Sequence, residues 1–449
     1  MAYIGRRGVL TGAAGVLAAV ATAAPAKAVR ASGAPADGAG ANGAPAKGAG
    51  ANEARAKGPA APRAAAAGAG GAAKAEFRGM WVASVQNVDW PSRSGLAADD
   101  QRAELLALLD TAVSRRLNVV ILQVRPTADA MWPSAREPWS QWLTGEQGVD
   151  PGWDPLGTAV SEAHARGLQL HAWFNPYRVA NHTDPGLLSP GHPARRNRGW
   201  TVAYGGKLYY NPGLPEVRRF VQDAMLDAVA RYPVDGVHWD DYFYPYPVEG
   251  RDFDDDAAYE RYGRSFATRA DWRRHNTDTL VREMSERLRA LRPATRFGVS
   301  PFAVWRNSDR DPLGSPTRAG ATTYDDLYAD TRKWVREGWI DYIVPQVYWQ
   351  IGHPTADYAA LVPWWASAVA GTRVQLYVGE ALYRCDPRSS TAAWRDPREL
   401  SRHVRFARGY PEVRGHAYFS AKQVVADPNG AMATVVADHY PTVAAVPPR

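Results

Sequence analysis

The 449-residue chain has a single cysteine, Cys385, so it cannot close an intrachain disulfide, and nothing beside that residue suggests an activated thiol. It has no uninterrupted apolar run of about 18 residues, which excludes a membrane-spanning helix in the mature protein. The net charge is +7, yet the positive residues are scattered and form no long Lys/Arg block, so the electrostatic footprint of a nucleic-acid binder is missing. No Gly-rich dinucleotide loop follows an early apolar run, and no G-x-S-x-G elbow occurs. No His, Cys and carboxylate cluster has metal-ligand spacing. The acidic run "DFDDDAAYE" (252–260) lacks the spacing and the glycine of a calcium loop and reads as a solvated segment. Neither a cofactor nor a metal is expected.

What the chain has in quantity is aromatic: 17 Trp and 21 Tyr. Its N-terminal eighth, by contrast, is nearly all small residues. Paired Arg6 and Arg7, a modestly apolar stretch and "AKA" at 26–28 read as an export signal over residues 1–28, with the adjacent arginines pointing to the twin-arginine route. "GAPADGAGAN" (33–42) recurs as "GAPAKGAGAN" (43–52). Residues 29–75 therefore read as a disordered low-complexity linker, with too little side chain to offset its ordering entropy. The expected location is outside the cell, secreted or wall-associated.

From Glu76 a regular alternation begins. Eight short β-rich runs start at Phe77, Asn118, Leu168, Val234, Arg296, Asp341, Val374 and Gly415. Helical periodicity appears between them over 97–116, 154–167, 215–232, 273–293 and 327–338, with Gly167 and Gly338 placed as C-terminal caps. Eight strands alternating with helices predict a (β/α)₈ TIM barrel over 76–440, followed by a tail at 441–449. A doubly wound open sheet is the alternative.

Such barrels carry their sites at the C-terminal strand ends. Those ends are polar and aromatic here. Strand alternation puts Gln123 with Arg125, His171 with Asn175, His238 with Asp240, and Gln346 with Tyr348 on shared faces, and turns Leu122, Val124, Ala172, Val237, Val344 and Val347 outward. In "DGVHWDDYFYPYP" (235–247), Asp240 should look into the mouth. Asp241, the next residue on the strand, should point the other way, so the two are not expected to form one acid–base pair. Flat rings suit the C–H faces of sugars, and Arg, Asn, Gln and His can bond hydroxyls. About half of the rings are expected to pack the barrel instead. The expected substrate contacts are Arg125, Asp129, Trp132, His171, Asn175, His238, Tyr242, Arg306, Gln346, Tyr348 and Trp349.

"RGMWVASVQNVDWPS", "QVRPTADAMWPSAREPWSQWLTG", "HAWFNPYRV", "DGVHWDDYFYPYP" and "VSPFAVWRN" together resemble the glycosyl hydrolase-like 10 family over about residues 76–420. That resemblance implies an exported bacterial glycoside hydrolase on a barrel related to the α-amylase clan, and, for at least one member type, cleavage of peptidoglycan glycan strands stripped of stem peptides. In that clan an Arg stands two positions before the strand-four nucleophile; here His238 holds the Arg place and Asp240 the Asp place. Glycosidases generally need two carboxyls. Asp240 is the expected nucleophile or base. Its partner stays open among Asp241, Glu380, Glu137 and Asp129, with Asp241 and Glu380 first. A glycan-binding barrel without catalysis, and a hydrolase or transglycosylase of another polysaccharide, are the alternatives. The expected partner is a polysaccharide, with no nucleic acid.

Overall fold

The computed structural model describes residues 75–449. The predicted export signal and the low-complexity stretch, apart from Ala75, lie outside the described residues.

Eight parallel strands close into a barrel: β1 (Phe77–Val82), β2 (Val119–Arg125), β3 (Gln169–Phe174), β7 (Gly236–Trp239), β8 (Arg296–Val299), β9 (Tyr342–Ile343), β10 (Gln375–Glu380) and β11 (Val413–Tyr418). Each lies within a predicted run except β11, which starts two residues early. Neighbours pair in chain order around the ring, and β11 returns to β1. The missing numbers belong to a separate antiparallel sheet inserted after β3: β4 (Arg178–Ala180), β5 (Thr201–Tyr204) and β6 (Lys207–Tyr210). No apolar run of the sequence marks this sheet, whose strands are three or four residues long.

The main helices are α1 (Ala98–Ser114), α2 (Pro155–Ala165), α3 (Pro215–Arg231), α4 (Arg269–Leu291), α5 (Thr331–Arg336), α6 (Tyr358–Val369) and α7 (Glu399–Ala407). Asp154 caps α2 by accepting from Gly157 N, and Pro155 takes the first helical position, where its missing N–H costs nothing. Gly167 and Gly338 follow α2 and α5 with φ of +72° and +62°, the left-handed turn that favours glycine. No helix among the described residues is long and apolar enough to cross a membrane.

Two apolar layers follow from strand alternation. Leu122, Val124, Ala172, Val237 and Val347 pack outward against the helices, with Trp239. Phe77, Trp81, Ile121, Trp173, Tyr342 and Tyr377 fill the axis. Val344, expected outward, joins the axial layer instead. It stands two places after Tyr342, which also fills the axis, so alternation itself turns it inward and the outward expectation had the wrong phase. Gly298 on β8 makes room for the Tyr342 ring: a Cβ there would lie 1.9 Å from it.

The C-terminal residues do not trail free. Ala445 O accepts from Glu76 N at 2.9 Å, Val446 packs on the axial layer, and Arg449 binds both oxygens of Asp341 at 2.8 and 3.0 Å. Residues 441–449 thus close the N-terminal face of the barrel. In the acidic run, Asp255 is not solvated: it is buried in a two-bond contact with Arg273. Among the described residues no His, Cys, Asp and Glu group is placed to hold a metal ion.

Candidate active site

A cleft of about 770 Å³, counting its open mouth, lies at the C-terminal ends of the strands. All eight barrel strands or the segments just past them contribute a wall: Trp81, Gln123, Trp173, Asp240, Ser300, Gln346, Tyr383 and Phe419, with Asp241, Tyr242, Tyr348 and Arg178 among them.

The two aspartates meet here. β7 ends at Trp239, so Asp240 and Asp241 sit beyond the pleat that would have turned them apart, and both line the cleft. This corrects the expectation that they face opposite ways. Asp240 Oδ2 accepts from Trp173 Nε1 at 3.1 Å and from Asn175 Nδ2, and Oδ1 accepts from the Tyr242 backbone N–H at 3.2 Å. Asp241 accepts from Tyr246 OH and, at 3.2 Å, from Gln346 Nε2. Burial, and then the charge of Asp241, push Asp240 up to about 7. Burial also raises Asp241, against the bonds from Tyr246 and Gln346. Two buried carboxyls this close cannot both ionise cheaply, so they titrate as a unit and keep a proton near neutrality.

Behind Asp240 runs a relay of amides. The N–H groups of Ser84 and Val85 donate to Gln123 Oε1 at 2.9 Å each, and Gln123 Nε2 donates to Asn175 Oδ1 at 2.6 Å. With its oxygen so engaged, Asn175 must offer its Nδ2 to Asp240.

His238 lies under the floor of the cleft. Its Nε2 accepts from Trp81 Nε1 at 3.1 Å and lies 2.9 Å from Ser300 Oγ. Its Nδ1 therefore carries the hydrogen and donates to Tyr342 OH at 3.1 Å, which in turn donates to His171 Nδ1 at 2.8 Å. Burial drives His238 down to about 3 and His171 well below the usual imidazole range, so both are neutral. His238 accordingly brings no positive charge to Asp240, unlike an arginine in its place. It positions Trp81 and Ser300, which do face the cleft.

Of the expected site residues, the fold brings Asp240, Asp241, Tyr242, Gln346 and Tyr348 to the cleft wall, with Asn175 and His238 directly behind. Others lie elsewhere. Glu380 shares the outward parity of Leu376 and Val378, and the register shift between β10 and β11 beside them does not turn it in; it sits behind the sheet, bonded by Tyr358 OH at 2.8 Å, His403 at 2.8 Å and His416 at 3.0 Å. Burial opposes its charge, but His403 foremost, then His416, hold it down at about 2. A register shift after Gln123 sets Arg125 opposite Phe174 rather than towards the axis, and it is locked in a two-bond pair with Glu137 at 2.6 Å. Asp129 is buried against Thr127. Trp132 packs on Phe174 and donates to Asp227. His171 lies deep in the axis. Arg306 is paired with Asp325 and Asp311, and Trp349 packs edge-on against Phe302.

Trp81, Arg178, Ser300, Tyr246, Tyr383 and Phe419 were not singled out. The inward parity of Phe77 and Trp81 on β1 is a usable signal for Trp81; Arg178 lies in "HAWFNPYRV", on a strand of three residues that is too short to show a period.

The glycosyl hydrolase-like 10 family model matches residues 76–396. Glycosyl hydrolase YngK of Bacillus subtilis (strain 168) is 47% identical over 374 residues, covering 83% of this chain and 73% of the relative. Glycosyl hydrolase DigH of Escherichia coli (strain K12) is 40% identical over 362 residues, covering 76% of this chain and 82% of the relative. Among solved structures, the glycoside hydrolase domain of PgaB (BpsB) from Bordetella bronchiseptica aligns with a TM-score of 0.51 at 13% identity, over 84% of this chain and 100% of that one, a likeness of fold.

Proposed function

The chain belongs to the glycosyl hydrolase-like 10 family and is a glycosidase, and from that premise we propose that it is exported and cleaves peptidoglycan glycan strands, with Asp240 and Asp241 as its two working carboxyls. The observation that carries the site assignment is the pair itself: two adjacent buried acids, sharing a proton near neutrality, in an aromatic cleft at the barrel mouth.

The division of labour follows from that shared proton. One carboxyl is protonated and gives its hydrogen to the glycosidic oxygen as the bond to the anomeric carbon breaks. The other is ionised and either attacks that carbon or takes a proton from the attacking water. Every hydrogen bond that the pair makes within the protein is one it accepts, which favours the ionised form of each. Burial and mutual repulsion favour the proton. The rings of Trp81, Trp173, Tyr242 and Tyr348 offer faces for pyranose rings, and Gln346 and Ser300 offer partners for hydroxyls.

Export rests on the paired arginines, apolar stretch and "AKA" of the first 28 residues, and the wall glycan rests on what the family resemblance implies. The test is incubation of the full chain with peptidoglycan glycan strands, with and without stem peptides, beside an Asp240→Asn control, the products read by mass spectrometry. New saccharides from the wild type alone support the reading. Retention on the strands without cleavage refutes it in favour of a binding barrel, and cleavage of other polysaccharides only moves the substrate elsewhere.

A further inference from the structure

Among the buried arginines of the described residues, Arg178 and Arg296 have no carboxylate partner, and of the two only Arg178 lines the cleft. Arg125, Arg273 and Arg306 each face a carboxylate partner across two bonds: Glu137, Asp255 and Asp325. Arg178 is 4% exposed and lines the cleft, yet no carboxylate of the described residues lies within 4.0 Å of its guanidinium. Its Nε donates to Pro126 O at 3.1 Å, and its plane lies 5.1 Å over the Tyr242 ring. Those two contacts fix the side chain. They use the Nε edge and one face, and they leave the Nη1/Nη2 edge without a protein partner among the described residues. On neighbouring β6, half-buried Lys207 adds a second positive charge and forms no ion pair within the described chain; burial, and then the charge of Arg178, lower its pKa.

Asp240 and Asp241 feel the charge of Arg178, but neither is in contact with it; a buried cation without a contacting counter-charge is costly, and a fixed guanidinium edge is shaped to receive a carboxylate through two parallel bonds. We propose that Arg178 is the subsite for a carboxylate carried by a substrate sugar, namely the lactyl carboxylate that a muramic acid residue exposes once its stem peptide has been removed. This rests on the peptidoglycan reading above and deepens it. In an unstripped strand the same lactyl group is an amide: it has no charge, and a peptide continues from it into a crowded wall. The subsite therefore makes the cleft prefer stripped strands, through charge as well as through room.

The test varies the substrate first, so that folding of a variant is not at issue. Full-chain wild-type protein is given stripped glycan strands with free lactyl carboxylates, and the same strands with those carboxylates converted to methylamides. The expected result is a KM about 10- to 100-fold higher on the amidated strands, the loss of a charge-assisted contact, with a smaller change in kcat. In Arg178→Gln the difference between the two substrates disappears. Equal kinetics on free and amidated strands in the wild type overturn the subsite and leave the glycan reading standing. Persistence of the difference in Arg178→Gln, with only the pH profile displaced, also overturns it and makes Arg178 a counter-charge for the aspartates. Failure of the wild type to cleave either form overturns both readings.

Discussion

Asp240 is held entirely by donors, from Trp173, Asn175 and the Tyr242 N–H, yet burial and Asp241 keep it protonated up to about 7. Two outcomes follow. First, kcat/KM falls as pH rises through about 7, because the pair then loses the proton that it gives to the leaving oxygen; a pH–rate profile on glycan strands checks this. Second, Asp240→Asn folds and loses about 10²–10⁴ in kcat/KM. It also changes stability in a defined direction. An unfolded Asp releases its proton near 3.9 and the folded Asp240 near 7, so folding takes up a proton between them and wild-type stability declines as pH rises across that window. The Asn variant declines less, as melting temperatures at pH 5 and pH 8 will register. Glu380 behaves oppositely. Held at about 2, it adds stability that is present above the ordinary Glu value and is lost as pH falls from there through about 2. Glu380→Gln removes the charge that His403 and His416 face and costs about 3–5 kcal/mol in denaturant unfolding, with turnover per folded molecule little changed.

At the scale of elements, the barrel was legible because each strand is an apolar run and five of the seven main intervening helices show their own period; α6 and α7 went unread. The finer assignments failed where an element ended sooner than its apolar run. β7 stops at Trp239, so alternation extended to Asp241 had no pleat to enforce it, whereas Val344 keeps the inward parity of Tyr342 and its outward expectation had the wrong phase. In β2 a register shift took Arg125 out of the parity it was given. β4, β5 and β6 are three or four residues long, too short to announce a period, and so Arg178 lacked a visible place. Contact between β8 and β9 gives an element-scale prediction. Gly298→Ala drives a methyl into the Tyr342 ring, and with it the bond chain to His238 and His171. Overpacking of this kind costs about 1–3 kcal/mol, and a lowered denaturant midpoint with unchanged m-value is the expected signature.

For the whole molecule, the closure of the lower barrel face by residues 441–449 matters most. Removing residues 444–449 strips the cover from Phe77 and Tyr377, whose rings stack 4.0 Å apart, and frees Asp341 from Arg449. Melting temperature should fall, while kcat/KM at a temperature where the truncated protein remains folded should match the intact chain. The bond between Glu76 and Ala445 has a geometric corollary as well. It places the point where the N-terminal stretch joins the barrel on the face opposite the cleft. If that stretch is fastened to a bead, a sensor chip or an envelope, the barrel stands with its mouth turned away from the support and towards whatever polymer approaches from the other side.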